Sequence, residues 1–188
     1  MHREIRSGLT RWVAGKTVAQ SVFLFMRVLM TLLNESVREA AQRSVLGWLA
    51  TVDAEGQPNV SPKEVWAIAD DEHVVLAHIA SPVSARNIAL QPQVCLSFVD
   101  VFVQKGFKLK GSAHEVRAAD PAFARWATPL LAMVGQRFVI QSVLVIRVTS
   151  VVTIVAPSYR FYPYETTEVS QVASAMRTYG VQSLKEES

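Results

Sequence analysis

From residue 45 onward, hydrophobic and polar positions alternate in short runs separated by turn residues, the pattern of consecutive β-strands at hairpin spacing. Residues 46–52 (LGWLATV) predict a strand, and 53–58 (DAEGQP) the polar turn that follows it. Residues 59–69 predict a second strand, and the acidic turn 70–72 leads into a third at 73–80 (HVVLAHIA). The pattern then changes period: 84–91 (SARNIALQ) predicts one short helix, stopped by Pro92. Residues 93–103 (QVCLSFVDVFV) predict a long apolar strand. In 106–116 (GFKLKGSAHEV), Phe107 and Leu109 alternate with Lys108 and Lys110, one buried face against one wet face.

Asp120-Pro121 opens a further helix whose stripe of Phe123, Trp126, Leu130, Leu131 and Val134 runs as far as Gly135. Residues 138–155, dominated by Val and Ile, predict a long strand or a bent pair, and 167–179 a terminal helix ended by Gly180. Near the other end, Asn34 before Glu35 reads as a capped helix start. Six strands with a few short peripheral helices predict a mainly β, Greek-key-like barrel. A barrel this small fills its interior with side chains, so a large ligand must lie outside it. A second copy of the chain is then needed to bury that ligand.

Charge sharpens the picture by where it sits. The formal net charge is +3, yet residues 1–29 carry Arg3, Arg6, Arg11, Lys16 and Arg27 against Glu4 alone. The rest of the chain is close to neutral, which argues against nucleic acid as a partner. Residues 18–33 (VAQSVFLFMRVLMTLL) follow that basic leader, but Arg27 interrupts the run and it is short for a spanning helix. Residues 1–29 are therefore read as an extension upstream of a start at Met30, with a membrane-surface helix as the alternative, and 30–188 as one domain. The single cysteine, Cys95, excludes an internal disulfide and a thiolate-rich metal centre. It reads as a small core residue in a protein of the reducing cytoplasm.

Three stretches can carry chemistry. At 78–87 an apolar strand ends at His78-Ile79-Ala80, turns at Ser81-Pro82 and opens a helix with Ser84-Ala85-Arg86-Asn87. Free N–H groups and the dipole of such a helix start suit a phosphate, and an arginine fork can grip two of its oxygens; an ordinary capped helix with a surface arginine fits the residues equally well. In 58–66 (PNVSPKEVW), Pro62 cannot donate to a sheet ladder and belongs at an edge or bulge, where freed backbone can face a flat polar heterocycle. Lys63 adds positive charge there, or simply guards an edge strand. In 104–111 (QKGFKLKG), Gln104 and Lys105 offer donors and Gly106 permits close backbone approach, or the lysines form a solvated face. The histidines lack metal-ligand spacing, since His73 and His78 face opposite sides of one strand.

The ordered set GQPNVSPKEVW, HVVLAHIASPVSARNIALQPQVCLSF and KGFKLKGSA resembles the pyridoxamine 5′-phosphate oxidase-related FMN-binding split-barrel proteins, over about residues 35–158. The resemblance implies a homodimer with FMN between two split barrels. It places Ser61, Pro62 and Lys63 along the isoalloxazine and ribityl chain, with His78 and Ile79 touching the flavin. Ser84, Arg86 and Asn87 would hold the phosphate, and Gln104 and Lys105 would come from the partner subunit. Two departures argue against vitamin B6 oxidation. Ser61 stands where the pyridoxine-phosphate oxidases carry arginine, and the C-terminal VASAMRTYGVQSLKEES lacks their Arg-Leu-x-Pro motif. The resulting expectation is an FMN-dependent oxidoreductase acting on a small molecule. The alternatives are a non-catalytic flavin-binding or sensing protein, and a split barrel holding another flat cofactor such as a deazaflavin or haem.

Overall fold

The computed structural model describes residues 31–134 and 139–183, so the expectation for residues 1–29 lies outside them. Asn34 caps α1 (Glu35–Arg43), its side chain accepting from the Val37 N–H. Seven strands follow: β1 (Gly47–Val52), β2 (Pro58–Lys63), β3 (Trp66–Ile68), β4 (His73–His78), β5 (Gln93–Asp100), β6 (Lys105–Arg117) and β7 (Ser142–Val155). Helix α2 (Pro82–Leu90) joins β4 to β5, and α3 (Phe123–Val134) joins β6 to β7. The chain closes with α4 (Pro157–Phe161) and α5 (Glu168–Tyr179). Among these described elements, no helix is long and apolar enough to cross a membrane.

The strands form one antiparallel sheet in the order β2-β1-β5-β6-β7-β4-β3. Its two edge strands, β2 and β3, are neighbours in sequence, separated only by Glu64 and Val65. So short a link forces the sheet to curl until its edges meet, which produces the expected split barrel. It also accounts for seven strands instead of six. The run read as one strand over 59–69 is two, because the chain leaves β1 after Lys63 and pairs with β4 from Trp66. The Ala77 N–H donates to Val65 O at 2.9 Å, extending the β3–β4 ladder into the link.

Two hydrophobic clusters line the two faces of the sheet. The barrel interior holds Leu49, Leu76, Leu96, Phe98, Leu109, Leu144 and Ile146, plugged by Val37 of α1 and Ile88 of α2. Outside, the Trp126, Ala127 and Leu130 stripe of α3 packs on Val75, Ala77, Val143 and Val145. Strand β4 and the first half of β7 are thus covered on both faces, which is why their apolar runs are continuous and do not alternate. Strand β1 alternates, with Leu49 and Thr51 inward and Trp48 outward.

Several boundaries differ from the sequence reading for local reasons. The strand expected to reach residue 103 stops at Asp100, whose carboxylate accepts from the Phe102 N–H at 3.0 Å and turns the chain. The strand expected from 138 begins at Ser142, and the one expected to reach 80 ends at His78. Helix α2 begins two residues earlier than expected because Pro82 takes the first helical position. Cys95 is not in the core: alternation between Val94 and Leu96 turns it to the outer face, half-buried opposite Ala50 and Lys110. Burial raises its thiol pKa, with Lys110 and Lys108 opposing more weakly. The terminal helix matches its signals, with Thr167 as N-cap in a capping box and Gly180 ending it at φ 66°.

Candidate functional site

The barrel seam gathers most of the polar residues singled out in the sequence. Parity along β2 puts Asn59, Ser61 and Lys63 on the inward face, opposite Thr51, Leu49 and Gly47. Above them, α2 lays Ser84, Asn87 and Ile88 against the barrel. The Ser61 and Ser84 hydroxyls lie 2.9 Å apart. Thr51 Oγ1 accepts from Asn87 Nδ2 at 3.1 Å and from Asn59 Nδ2 at 3.2 Å. These bonds fasten the helix start to the first two strands, and Ser84, Asn87 and Thr51 are almost wholly buried in making them.

Lys63 is the unusual member. It is only 5% exposed and, among the described residues, forms no ion pair. Its Nζ donates to Ser81 Oγ, and desolvation lowers its pKa from the ordinary lysine value. Ser81 is the N-cap of α2 but makes no side-chain cap bond, and Pro82 at the helix start has no N–H. The first-turn N–H groups of Val83 and Ser84 are therefore left uncapped beside a buried cation. A cleft of about 290 Å³ opens at this point, lined by Pro62, Lys63, Val65, Ala77, Ile79 and Ser81 among others. Its wall is mostly apolar, with Lys63 as its one cation and the exposed Glu64 carboxylate also on the lining; the apolar wall and the cation suit a flat, phosphate-bearing molecule.

A larger cleft of about 440 Å³ lies between α1 and β3. Its cation, Arg38, is already committed to Leu33 O, Asp70 O and the Asp71 carboxylate, each at 3.0 Å. Charge without a partner therefore marks the smaller cleft as the candidate.

The remaining sequence candidates sit in three places. Arg86 is exposed on the outer side of α2, two residues from Ser84 and so on nearly the opposite face; it makes no ion pair or hydrogen bond among the described residues. Ser84, Arg86 and Asn87 consequently do not converge on one point within the subunit. His78 lies at the end of β4 on the inner face, its Nδ1 buried with no partner among the described residues. Gln104 and Lys105 stand at the β5–β6 turn, where their side chains meet α5 and not the cleft.

Four residues were given no site role in the sequence reading. Thr51 had a signal, a polar residue at the inward parity of an otherwise apolar strand. Ser81 also had one, as the residue before a helix-opening proline. The pair Glu115 and Ser142 had none, since they are 27 residues apart and meet only through strand pairing, with Ser142 Oγ donating to Glu115 Oε1 at 2.6 Å. That bond, more than nearby Arg117, holds the Glu115 carboxyl below its usual pKa.

A curled antiparallel sheet with a helix clamped over its seam defines a split-barrel protein. The chain belongs to the pyridoxamine 5′-phosphate oxidase family, whose model matches residues 33–160. It is 28% identical over 113 residues to the haem oxygenase HutZ of Vibrio cholerae, an alignment covering 56% of this chain and 61% of that protein. The chain thus spans about three-fifths of the length of that relative. Among solved structures, HupZ of Group A Streptococcus superposes with a TM-score of 0.57 at 21% identity, over 65% of this chain and 94% of that one. An FMN-binding protein from Syntrophomonas wolfei superposes with a TM-score of 0.56 at 14% identity, over 73% and 95% of the respective chains. At such identities the likeness to the two structures is one of fold.

Proposed function

We propose that the protein binds FMN in the seam cleft of a homodimer and uses it as an oxidoreductase on a small, flat molecule. The observation that carries this reading is Lys63, a buried lysine with no counter-ion, placed at an uncapped helix start. A buried cation without a partner is costly, and a bound phosphate relieves that cost. Lys63 and the Val83 and Ser84 N–H groups would hold the phosphate, with Pro62 and Ile79 against the ring system. Arg86 would supply a second cation from the rim. Gln104 and Lys105 would reach the cleft of the partner copy. When bound, the flavin supplies hydride transfer at its ring; the protein positions it, excludes water and neutralises its charge.

Vitamin B6 oxidation is a poor fit to these residues. Where the B6-oxidising members carry arginine, Ser61 is turned onto Ser84, so that position offers no cation to a substrate phosphate.

FMN added to the purified protein is expected to bind in a one-to-one ratio and quench its own fluorescence. Lys63→Met should weaken that binding about tenfold or more, the scale of a hydrogen bond to a charged group. Protein that takes up no FMN would refute the reading. Turnover with a nicotinamide nucleotide as electron donor separates an oxidoreductase from a protein that only binds flavin. A second reading, haem as the ligand instead of FMN, is favoured by the unpartnered Nδ1 of His78 on the inner face of β4 and by the likeness to HutZ. A haem absorption band that shifts in His78→Ala would establish it in place of FMN.

A further inference from the structure

The β5–β6 turn is built more rigidly than a surface turn requires. Gln104 adopts φ 56°, the only non-glycine residue with positive φ among those described. An unbranched L-residue held in the left-handed region is strained, and such strain persists only where the surroundings impose it. Here they do so from both sides. The Gln104 N–H donates to Asp100 O at 2.8 Å, and its carbonyl accepts from the Ala156 N–H at 3.0 Å. Tyr159 OH donates to Val103 O at 2.9 Å.

The side chains are held as well, chiefly by Glu168 and Gln171, which lie beyond the segment the family model matches. Gln171 Nε2 donates to Ser158 Oγ at 2.9 Å and to Gln104 Oε1 at 3.3 Å. Both hydrogens of that amide are then spent, and the oxygen of Gln104 is taken. The N–H pair of Gln104, on the other arm of its amide, makes no hydrogen bond among the described residues. Lys105 Nζ lies 2.8 Å from Glu168 Oε1 and 4.4 Å from the centre of the Tyr159 ring. The capping box of Thr167 and Ser170 fixes the helix start that carries Glu168 and Gln171.

We propose that the α4–α5 arm is an orienting clamp. Gln171 sets which end of the Gln104 amide points outward, so that the turn presents N–H donors to the acceptor oxygens of a ligand held in the cleft of the partner copy. Glu168 and Tyr159 hold the Lys105 ammonium alongside. Gln171 is a positioning residue, acting through Gln104. The proposal rests on the reading above that this turn reaches the cofactor of a second copy. The exposed ion pair to Glu168 is weak enough to yield to a stronger anion.

The test is FMN affinity, with dimer mass by sedimentation, in four variants of the full chain. Gln104→Ala removes the donor and is expected to weaken FMN binding about three- to tenfold, the worth of one net hydrogen bond. Gln171→Glu puts an acceptor against Gln104 Oε1, reverses the amide and should weaken binding by a similar factor with the dimer intact. Gln171→Ala unlocks the amide without reversing it and should cost less. In the double variant Gln104→Ala/Gln171→Glu the second change should add nothing, a coupling that a merely structural role for Gln171 would not produce. A loss in Gln104→Ala with none in Gln171→Glu, or additive losses in the double variant, overturns the clamp and leaves the cofactor reading standing. Unchanged affinity in Gln104→Ala removes the contact of this turn with the cofactor and the clamp with it, and no FMN binding at all removes the cofactor reading as well.

Discussion

Single residues decide what this barrel can hold. Gly106 was singled out in the sequence as a place where backbone comes close, and the structure shows whose. A Cβ there would stand 2.0 Å from the carbonyl oxygen of Phe98 on the neighbouring strand. The glycine therefore serves the β5–β6 pairing of its own chain. Because the obstacle is backbone and cannot swing aside, Gly106→Ala is expected to destabilise the fold by about 2 kcal/mol or more. Thermal unfolding followed by circular dichroism would show this as a drop of several degrees. An unchanged midpoint would mean that the two strands can separate at no cost. Lys63 was legible as a basic residue beside a proline. Its isolation was not, because a missing counter-ion is a fact about every neighbour at once, and sequence spacing reports only the near ones.

At the scale of elements, the signals that worked were local and the ones that failed were relational. Asn34, Thr167 and Gly180 each act within a turn of their own helix and stand where the sequence placed them, whereas Pro82, read as part of the preceding turn, opens α2 instead. The split of 59–69 into β2 and β3 depends instead on which strands lie alongside, and nothing in PNVSPKEVWAI announces a change of partner. The docking of α2 is of the same kind. Its inward face is held by Asn87 on Thr51, a buried pair separated by 36 residues. Asn87→Ala leaves part of that pair unsatisfied and should cost about 1–3 kcal/mol. Chemical denaturation would measure the loss, and FMN titration would show weaker binding in step with it, since the same helix start frames the cleft. Full stability in this variant would mean that α2 is seated by Ile88 and its other apolar contacts alone.

For the whole molecule, the β-rich spacing was enough to anticipate a barrel, and the ordered motifs narrowed it to a split one. What could not be read was where the barrel is joined. Sheet order places β2 and β3 at opposite ends, and the two residues between them span the gap. Glu64 and Val65 belong to that join and also to the wall of the cleft. Were a ligand to lodge in that cleft, as proposed, its uptake and any loosening of the barrel would act on the same two residues. A molecule lodged there acts as a rivet, and the cylinder that springs a leak at its weld also spills its cargo. Hydrogen exchange at the Ala77 amide, which ties the link residue Val65 to β4, should slow by about a hundredfold when FMN is supplied at a hundred times its dissociation constant. Equal exchange with and without ligand would show that the weld holds irrespective of what it encloses.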